Sequence, residues 1–543
     1  MPTLPASNCV YRIKKTQHMA WIQAKRLSAL SLALLSTALY VAAFPPFNLA
    51  EIAWLFNLPF LLWFKRQPSY RSVVYATLGS SWLSWFILLI WLRHVTLGGL
   101  IGLSLVMALS ALVWFVAARW LAPRLGQLAW LQRLVALAGL AGLWVLIEYL
   151  RTFLFTGFPW LPLAASQWNR PALLQVLAFT GFYGLSFVLI FFNRGLTEYI
   201  PKLFDAKQSP HQRRRLSPEC YAALALLFLT VGILFSTPYF RQDREPLFTA
   251  GVVQPNIPQS LKWDPDAAEG NLRILNETTK QAVNLGVDLI VWPESASPYP
   301  IVLNGQKLPW LPLFTDPIDL PFLMGGMAVQ NEDWYNIICG IDPDGELIEP
   351  YYAKQHLVPF GEYIPMGDTF PLLKKVVPIG SFKAGTHAEP IRLSIAGRDY
   401  RIGALVCYED VFPALSRQAA SKGIDFLFVA TNNGWYGEEA GAYQHAVHSV
   451  LRAVETRRPV LRCGNGGWSG WIDAYGRVNH VLTDPNEPER GIYFRGAAAL
   501  ELSRDRHFVG QQSFYVRYGD WFVACCFGVM LIGLLCLRRS KKA

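Results

Sequence analysis

Apolar runs long enough to cross a bilayer are confined to two parts of the chain, before residue 240 and after residue 518. A hydrocarbon core of about 30 Å takes about 20 helical apolar residues to cross. By that measure spans are predicted at Leu27 to Phe47, Ile52 to Phe64, Val73 to Leu92, Leu97 to Ala118, Leu134 to Leu150, Ala172 to Phe192 and Tyr221 to Phe235, with a last one at Trp521 to Leu537. The pattern therefore predicts a multi-span α-helical membrane bundle of about eight spans. The second span is short and holds Pro59, so it either tilts across or re-enters.

From residue 241 to 518 the pattern changes. Charges, prolines and glycines return, and short β-rich runs alternate with helical ones. Strands are predicted at Phe248 to Val253, Val287 to Trp292, Phe322 to Gly326, Asn336 to Ile341, Tyr400 to Cys407, Ile424 to Ala430 and Pro459 to Arg462. Asp342-Pro343-Asp344-Gly345 reads as a turn, and Asn271 to Leu285 and Ala442 to Thr456 read as helices. This describes an α/β domain with a layered core. The chain thus divides into an N-terminal bundle of about seven spans (1–240), an α/β domain (241–518) and a final span with a basic tail (519–543).

Composition agrees: 543 residues, 52% hydrophobic and only 16% charged, are too apolar for an ordinary soluble chain. The formal charge of +11 sits singly or beside the spans rather than on one polar face, which argues against nucleic-acid binding. Its placement instead fixes orientation, because cytoplasmic loops hold the excess of Lys and Arg. Arg12, Lys14, Lys15, Lys25 and Arg26 precede the first span, Lys65, Arg66 and Arg71 follow the second, and Arg119, Arg124 and Arg133 follow the fourth. Arg194, Lys202, Lys207, Arg213, Arg214 and Arg215 follow the sixth, and Arg538, Arg539, Lys541 and Lys542 close the chain. The alternate loops hold little beyond Arg93, Arg151 and Arg170. Both termini are then cytoplasmic and the α/β domain lies on the outer face, which in a Gram-negative cell is the periplasm. The first span also resembles a signal peptide ending at Ala42 and Ala43, and cleavage would leave that sidedness unchanged. No phosphate-binding G-x-x-x-x-G-K-[ST] loop occurs, in keeping with a site that works without ATP. The eight cysteines have no disulfide or zinc spacing.

Three strands end in residues able to do chemistry. Val287 to Pro293 delivers Glu294, Ile402 to Val406 delivers Cys407-Tyr408-Glu409, and Tyr352-Ala353 leads into Lys354, with Gly361-Glu362-Tyr363 beyond it. Taken singly, such a Cys is ordinarily a small buried hydrophobe and such a Lys or Glu a solvated surface residue. Only the constellation points to catalysis. Trp292-Pro293-Glu294-Ser295, the segment Lys354 to Tyr363, and Cys407-Tyr408-Glu409 resemble the three signature segments of the nitrilase superfamily, whose triad is Glu, Lys and Cys. With membrane spans around it, and with Glu148-Tyr149-Leu150-Arg151 and Thr156-Gly157-Phe158-Pro159-Trp160-Leu161 in the bundle, the chain resembles the apolipoprotein N-acyltransferase branch.

That resemblance implies an αββα sandwich and a two-step acyl transfer. Cys407 takes an acyl chain from a membrane phospholipid as a thioester and passes it to the N-terminal amine of an S-diacylglyceryl-cysteine apolipoprotein, with no cofactor. Elementary chemistry makes the same roles reasonable: a thiol needs a base, here Glu294, and the oxyanion formed on attack is favoured by a fixed ammonium, here Lys354. Glu362 would hold Lys354 charged and aimed, and Glu409 would order the loop beside the nucleophile. Asn432, Trp435 and Tyr436, after a predicted strand, resemble a loop near the family's active site and are candidate substrate contacts; core packing or a plain turn explains them equally well. The family usually has Asp where Asn433 stands, and Cys463 to Trp468 is an irregular version of an Asn-rich family segment. Glu148 and Arg151 form an expected helical ion pair, or face a phospholipid head group. His445 and His448 share a helix face but lack a third ligand pattern, so no metal is expected. Asn276-Glu277-Thr278 fits a glycosylation pattern too common to carry weight. The rivals are a membrane-tethered amidase passing the acyl group to water and a non-catalytic lipoprotein-binding protein. A transporter fits less well, since the spans are nearly free of charge.

Overall fold

The computed structural model of the protein describes residues 28–205, 209, 212, 215–303, 318–364 and 382–539. Of the basic residues used above for orientation, Arg12, Lys14, Lys15, Lys25, Arg26, Lys207, Arg213, Arg214, Lys541 and Lys542 lie outside the described residues, as does the start of the first predicted span at Leu27.

The N-terminal part is a helical bundle. Among the described residues four helices are long and apolar enough to cross a membrane: Leu97–Gln127, Trp130–Leu150, Pro218–Ser236 and Trp521–Arg538. A fifth candidate is a bent pair, Pro171–Thr180 and Phe182–Leu203, which meet at 119°. The bend falls at Gly181, whose φ of +64 is open to glycine at little cost. The span expected at Ala172 to Phe192 therefore breaks, and the longer helix begins ten residues later than expected. The remaining predicted spans are shorter or more polar. Ser28–Ala42 and Ala50–Phe64 are short apolar helical stretches, and Tyr70–Leu88 carries Ser72, Thr77, Ser80, Ser81 and Ser84. Length and apolarity together thus select four helices, five with the bent pair, where the sequence pattern suggested about eight.

The α/β part is a sandwich of two sheets. One runs in the order Gly496–Asp505, Arg244–Gln254, Leu289–Trp292, Phe322–Gln330, Asp333–Ile341, Leu347–Ala353, with Ile301–Val302 added beside Phe322–Gln330. The other runs Val478–Val481, Gly470–Ile472, Val460–Asn465, Phe426–Asn432, Arg398–Val406, Ile391–Ile395. Each sheet has a parallel centre and antiparallel rims. Their facing side chains, among them Val252, Val291, Ile338, Ile402, Phe428 and Leu461, form one buried core.

Helices cover both outer faces. Ala268–Val283 lies on the first sheet, with Leu275 and Ala282 in a second buried cluster against Ile290 and Phe322. Gly441–Thr456 and Pro413–Ser421 lie on the second sheet, and there the core does not stop: Val447, Val450, Leu451 and Val454 belong to the same apolar cluster as Leu174, Leu177 and Leu185 of the bundle. The domain is therefore seated on the bundle through one of its own helix layers rather than hung from a linker.

Candidate active site

All seven predicted strands are present within a few residues of the expected bounds; two of them, and an edge strand that was not predicted, deliver the expected side chains. Glu294 follows Leu289–Trp292, Lys354 follows Leu347–Ala353 and Cys407 follows Arg398–Val406. Each is almost entirely buried. Gly325 makes room for the first: a Cβ there would lie 2.7 Å from the Glu294 Cα and from the Pro293 carbonyl oxygen. Cys407 itself adopts φ +53, the left-handed region, at the junction between strand and a 3-10 turn. For a residue other than glycine this costs on the order of 1–3 kcal/mol and persists only where the surroundings impose it.

The Lys354 ammonium donates to Glu362 Oε1 at 2.8 Å and lies 3.8 Å from Glu294 Oε1. Asn336 ties the two acids together, donating to Glu294 Oε1 at 2.8 Å and to Glu362 Oε1 at 3.0 Å. Glu362 is held in turn by the Val358 N–H. Burial works against the charge on Lys354, but Glu362 and then Glu294 outweigh it and hold the ammonium above the ordinary lysine range. The Cys407 thiol goes the other way from a reactive thiolate: burial, reinforced by the Glu294 charge and only partly opposed by Lys354, pushes it up to about 12. At neutral pH Cys407 therefore rests as a thiol, and any attack by its sulfur would have to shed that proton. The Thr431 hydroxyl lies 3.3 Å from Sγ, and the Asn432 backbone N–H also faces it.

Glu409 is fully buried and takes hydrogen bonds from the Tyr352 hydroxyl, the backbone N–H groups of Gln355 and His356 and that of Val406. Burial moves its carboxyl up to about 7, with these backbone donors pulling it down. Glu409 thereby fastens the segment after Lys354 to the strand before Cys407.

Other predicted residues are placed differently. Asn432 is a structural hub, donating to Gln259 at 2.7 Å and accepting from Asn465 and Gly434. Tyr436 is buried against Trp91, with ring centroids 4.2 Å apart, whereas Trp435 is exposed. Glu148 and Arg151 do not form the expected ion pair. Glu148 accepts from Trp144 Nε1 and the Leu163 N–H, while Arg151, at the end of its helix, donates to the Trp160 carbonyl and stacks over Trp85. Both line a small pocket that also takes in Ser36, Asn57 and Ser84.

Three residues of the site were not expected. Asn336 is a lone polar side chain inside a strand. Thr431 follows the five apolar residues that open the strand Phe426–Asn432. Lys262, on the short helix Gln259–Lys262, is buried and donates to the Glu294 carbonyl at 3.2 Å; burial lowers its ammonium to about 8.

Comparison with known proteins agrees with this architecture. Residues 36–194 match the apolipoprotein N-acyltransferase N-terminal domain and residues 249–501 match the carbon-nitrogen hydrolase domain. An apolipoprotein N-acyltransferase of Geobacter metallireducens is 31% identical, over 94% of this chain and 95% of that protein. One of Azotobacter vinelandii is 28% identical over 96% and 98% of the two chains. Among solved structures, an amidase from Nesterenkonia sp. covers 53% of this chain and 98% of its own at 17% identity and a TM-score of 0.35. With both domains matched in order and a relative of this identity aligned nearly end to end, the chain belongs to the apolipoprotein N-acyltransferase family.

Proposed function

We propose that this chain takes an acyl chain from a membrane phospholipid onto Cys407 and delivers it to the N-terminal amine of diacylglyceryl apolipoproteins. The observation that carries the residue assignment is the burial of Cys407, Glu294 and Lys354 in one charge-coupled site at the ends of three strands.

In the first half-reaction Glu294 accepts the Sγ proton as sulfur attacks the ester carbonyl. The developing oxyanion is stabilised by the Lys354 ammonium, which Glu362 and Asn336 keep charged and aimed. The carbon–oxygen bond then breaks, the leaving glycerol oxygen takes the proton from Glu294, and a thioester and a lysophospholipid result. In the second half-reaction the acceptor's neutral amine attacks the thioester. Glu294 removes its extra proton and returns one to sulfur as the carbon–sulfur bond breaks, leaving the amide and a thiol. Because donor and acceptor use one sulfur in turn, the kinetics are ping-pong.

The same reading sets the chain in an inner membrane with eight crossings, both termini cytoplasmic, and residues 241–518 periplasmic between the bundle (1–240) and the final span and tail (519–543). What supports it is polarity along the bundle. Lys65 pairs with Glu198, and Arg133 with Glu219, toward one end. Trp91, Trp160 and Phe182 meet the α/β domain at the other. Arg133 and Glu148 lie near opposite ends of Trp130–Leu150, a helix of about 30 Å at ~1.5 Å per residue. Glu148 and Arg151 face the pocket on the domain side, where a lipid head group would lie; the exposed Trp435, with Asn432 and Tyr436, is a further candidate substrate contact.

The test is intact-mass analysis of the full chain incubated with phospholipid. A gain of one acyl chain on wild type, mapped to Cys407, absent from Cys407→Ala and discharged by a diacylglyceryl lipopeptide amine, is the expected result. Discharge to water alone would instead make the protein an amidase-like hydrolase.

A further inference from the structure

Beneath Cys407 lies a polar array that the mechanism above does not use. His445, fully buried on Gly441–Thr456, places Nε2 3.1 Å from the Cys407 carbonyl oxygen and 2.8 Å from Asp410 Oδ1. The Asn433 amide lies 3.0 Å from Nδ1. Since both neighbours of Nε2 are acceptors, Nε2 bears the proton, and Nδ1 accepts from the Asn433 side chain as its amide is oriented. The N–H is directed at the Cys407 carbonyl, with Asp410 off that line. Asp410 is itself fixed through Oδ2 by Arg462 at 2.5 Å and by the Ser449 hydroxyl at 2.6 Å. Burial lowers the basicity of His445, in keeping with a neutral ring.

This is not a Cys-His base pair. The imidazole meets the carbonyl of the nucleophile and not its sulfur, which has Thr431 beside it. Nor does filling space explain it, because an apolar side chain would fill the same volume without three polar partners. What the geometry does explain is the left-handed backbone of Cys407. Turning the residue to φ +53 directs its carbonyl into the protein interior, where the His445 N–H donates to it.

We infer that His445, anchored by Asn433 and set beside the Asp410 carboxylate, is a positioning residue for acyl transfer: its N–H holds the Cys407 carbonyl, and with it the backbone conformation that aims Sγ at the acyl carbonyl. The inference rests on Cys407 being the nucleophile. A sulfur misplaced by about 1 Å is slower by about a hundredfold, and that is the size of effect the array guards against.

The experiment compares His445→Leu, which keeps bulk without a donor, with His445→Gln, whose amide N–H reaches to about the same point. Both are made in the full chain, with Cys407→Ala alongside. The expected result is a fall of about 10²-fold in the rate of Cys407 acylation for His445→Leu. The KM values for phospholipid and lipopeptide should stay within a few-fold, and His445→Gln should recover most of the loss. Alkylation of Cys407 by iodoacetamide, followed by peptide mass, should rank the three proteins in the same order. Equal rates for the Leu and Gln variants, or a Leu variant as fast as wild type, would overturn the inference. If His445→Leu does not fold, Asn433→Ala takes its place: slower acylation at unchanged KM supports the anchor, and wild-type acylation removes it. An acyl-enzyme on Cys407→Ala would sink the nucleophile assignment itself, a result distinct from any His445 outcome.

Discussion

Lys354 is the ammonium that faces both carboxylates of the site, Glu294 and Glu362. Replacing it with Met leaves those carboxylates bridged only by Asn336 and removes the one ammonium in contact with both. Acylation of Cys407 in a single turnover should then fall by at least about 10²–10³-fold, the usual loss for an oxyanion donor. Donor binding, read from lipid retained on the protein, should change little. The thiol offers a second check. An ordinary cysteine ionises near 8.5, whereas burial holds Cys407 up to about 12. The thiolate fraction of the resting enzyme therefore keeps rising beyond the point where a free thiol is saturated. Its iodoacetamide rate should climb through pH 9–10 without levelling. A plateau just above pH 8.5 would show instead that the thiol is solvated in the resting state, its ionisation set by water rather than by burial.

The Gly441–Thr456 helix does at the scale of an element what Lys354 does at the scale of a residue: it joins parts that would otherwise separate. From Gln444 alone four bonds reach the bundle. Its side-chain oxygen accepts from the indoles of Trp91 and Trp160, and its amide donates to the carbonyls of Pro45 and Leu88. Eleven residues on, Glu455 accepts from the Phe182 N–H and from Arg452. Gln444→Leu would orphan two indole donors and two carbonyls in a buried seam, at about 1–3 kcal/mol for each group left dry. The melting temperature of the full chain should drop by several degrees, and a substitution at exposed Glu277 should leave it unchanged. The sequence does predict this helix, within a residue of its observed start, but not its complete burial. Its apolar stripe faces the second sheet, while the polar side is covered by another part of the chain, and periodicity reports only the first. The same limit explains the missed strands. Ile391–Ile395, Leu347–Ala353 and Gly496–Asp505 lie at the rims of the sheets, partly open, without the continuous apolar runs that mark the central strands. Glu294, Lys354 and Cys407 were legible because each stands at the end of a strand within a recognisable segment. Lys262 and Asn336 were not, since each acquires meaning only from Glu294, which approaches them through the fold. Gly181 hid inside an apolar run because hydropathy does not register φ.

At the scale of the molecule the bundle has two unlike ends, and the proposed chemistry depends on which faces outward. Acyl transfer from ester to thioester to amide draws its driving force from the ester and needs no ATP, so nothing in the mechanism demands cytosol. A lipoprotein acceptor presented at the outer leaflet does demand that Cys407 lie on that side. The ion-paired end, with Lys65, Arg133 and Arg194, is then cytoplasmic. On the proposed topology, the turn at Asp344, on the rim of the first sheet, and Ser209, between Phe182–Leu203 and Pro218–Ser236, fall on opposite sides of the bilayer. Single cysteines at these two positions, in chains whose buried cysteines do not react, distinguish the orientations. With a membrane-impermeant maleimide applied to intact spheroplasts, Asp344→Cys should label at once and Ser209→Cys only after lysis. The reverse order would put Cys407 in the cytosol, out of reach of an acceptor in the outer leaflet. The residue roles at the site would survive that outcome, but the phospholipid and the lipoprotein would have to meet the enzyme from the other face.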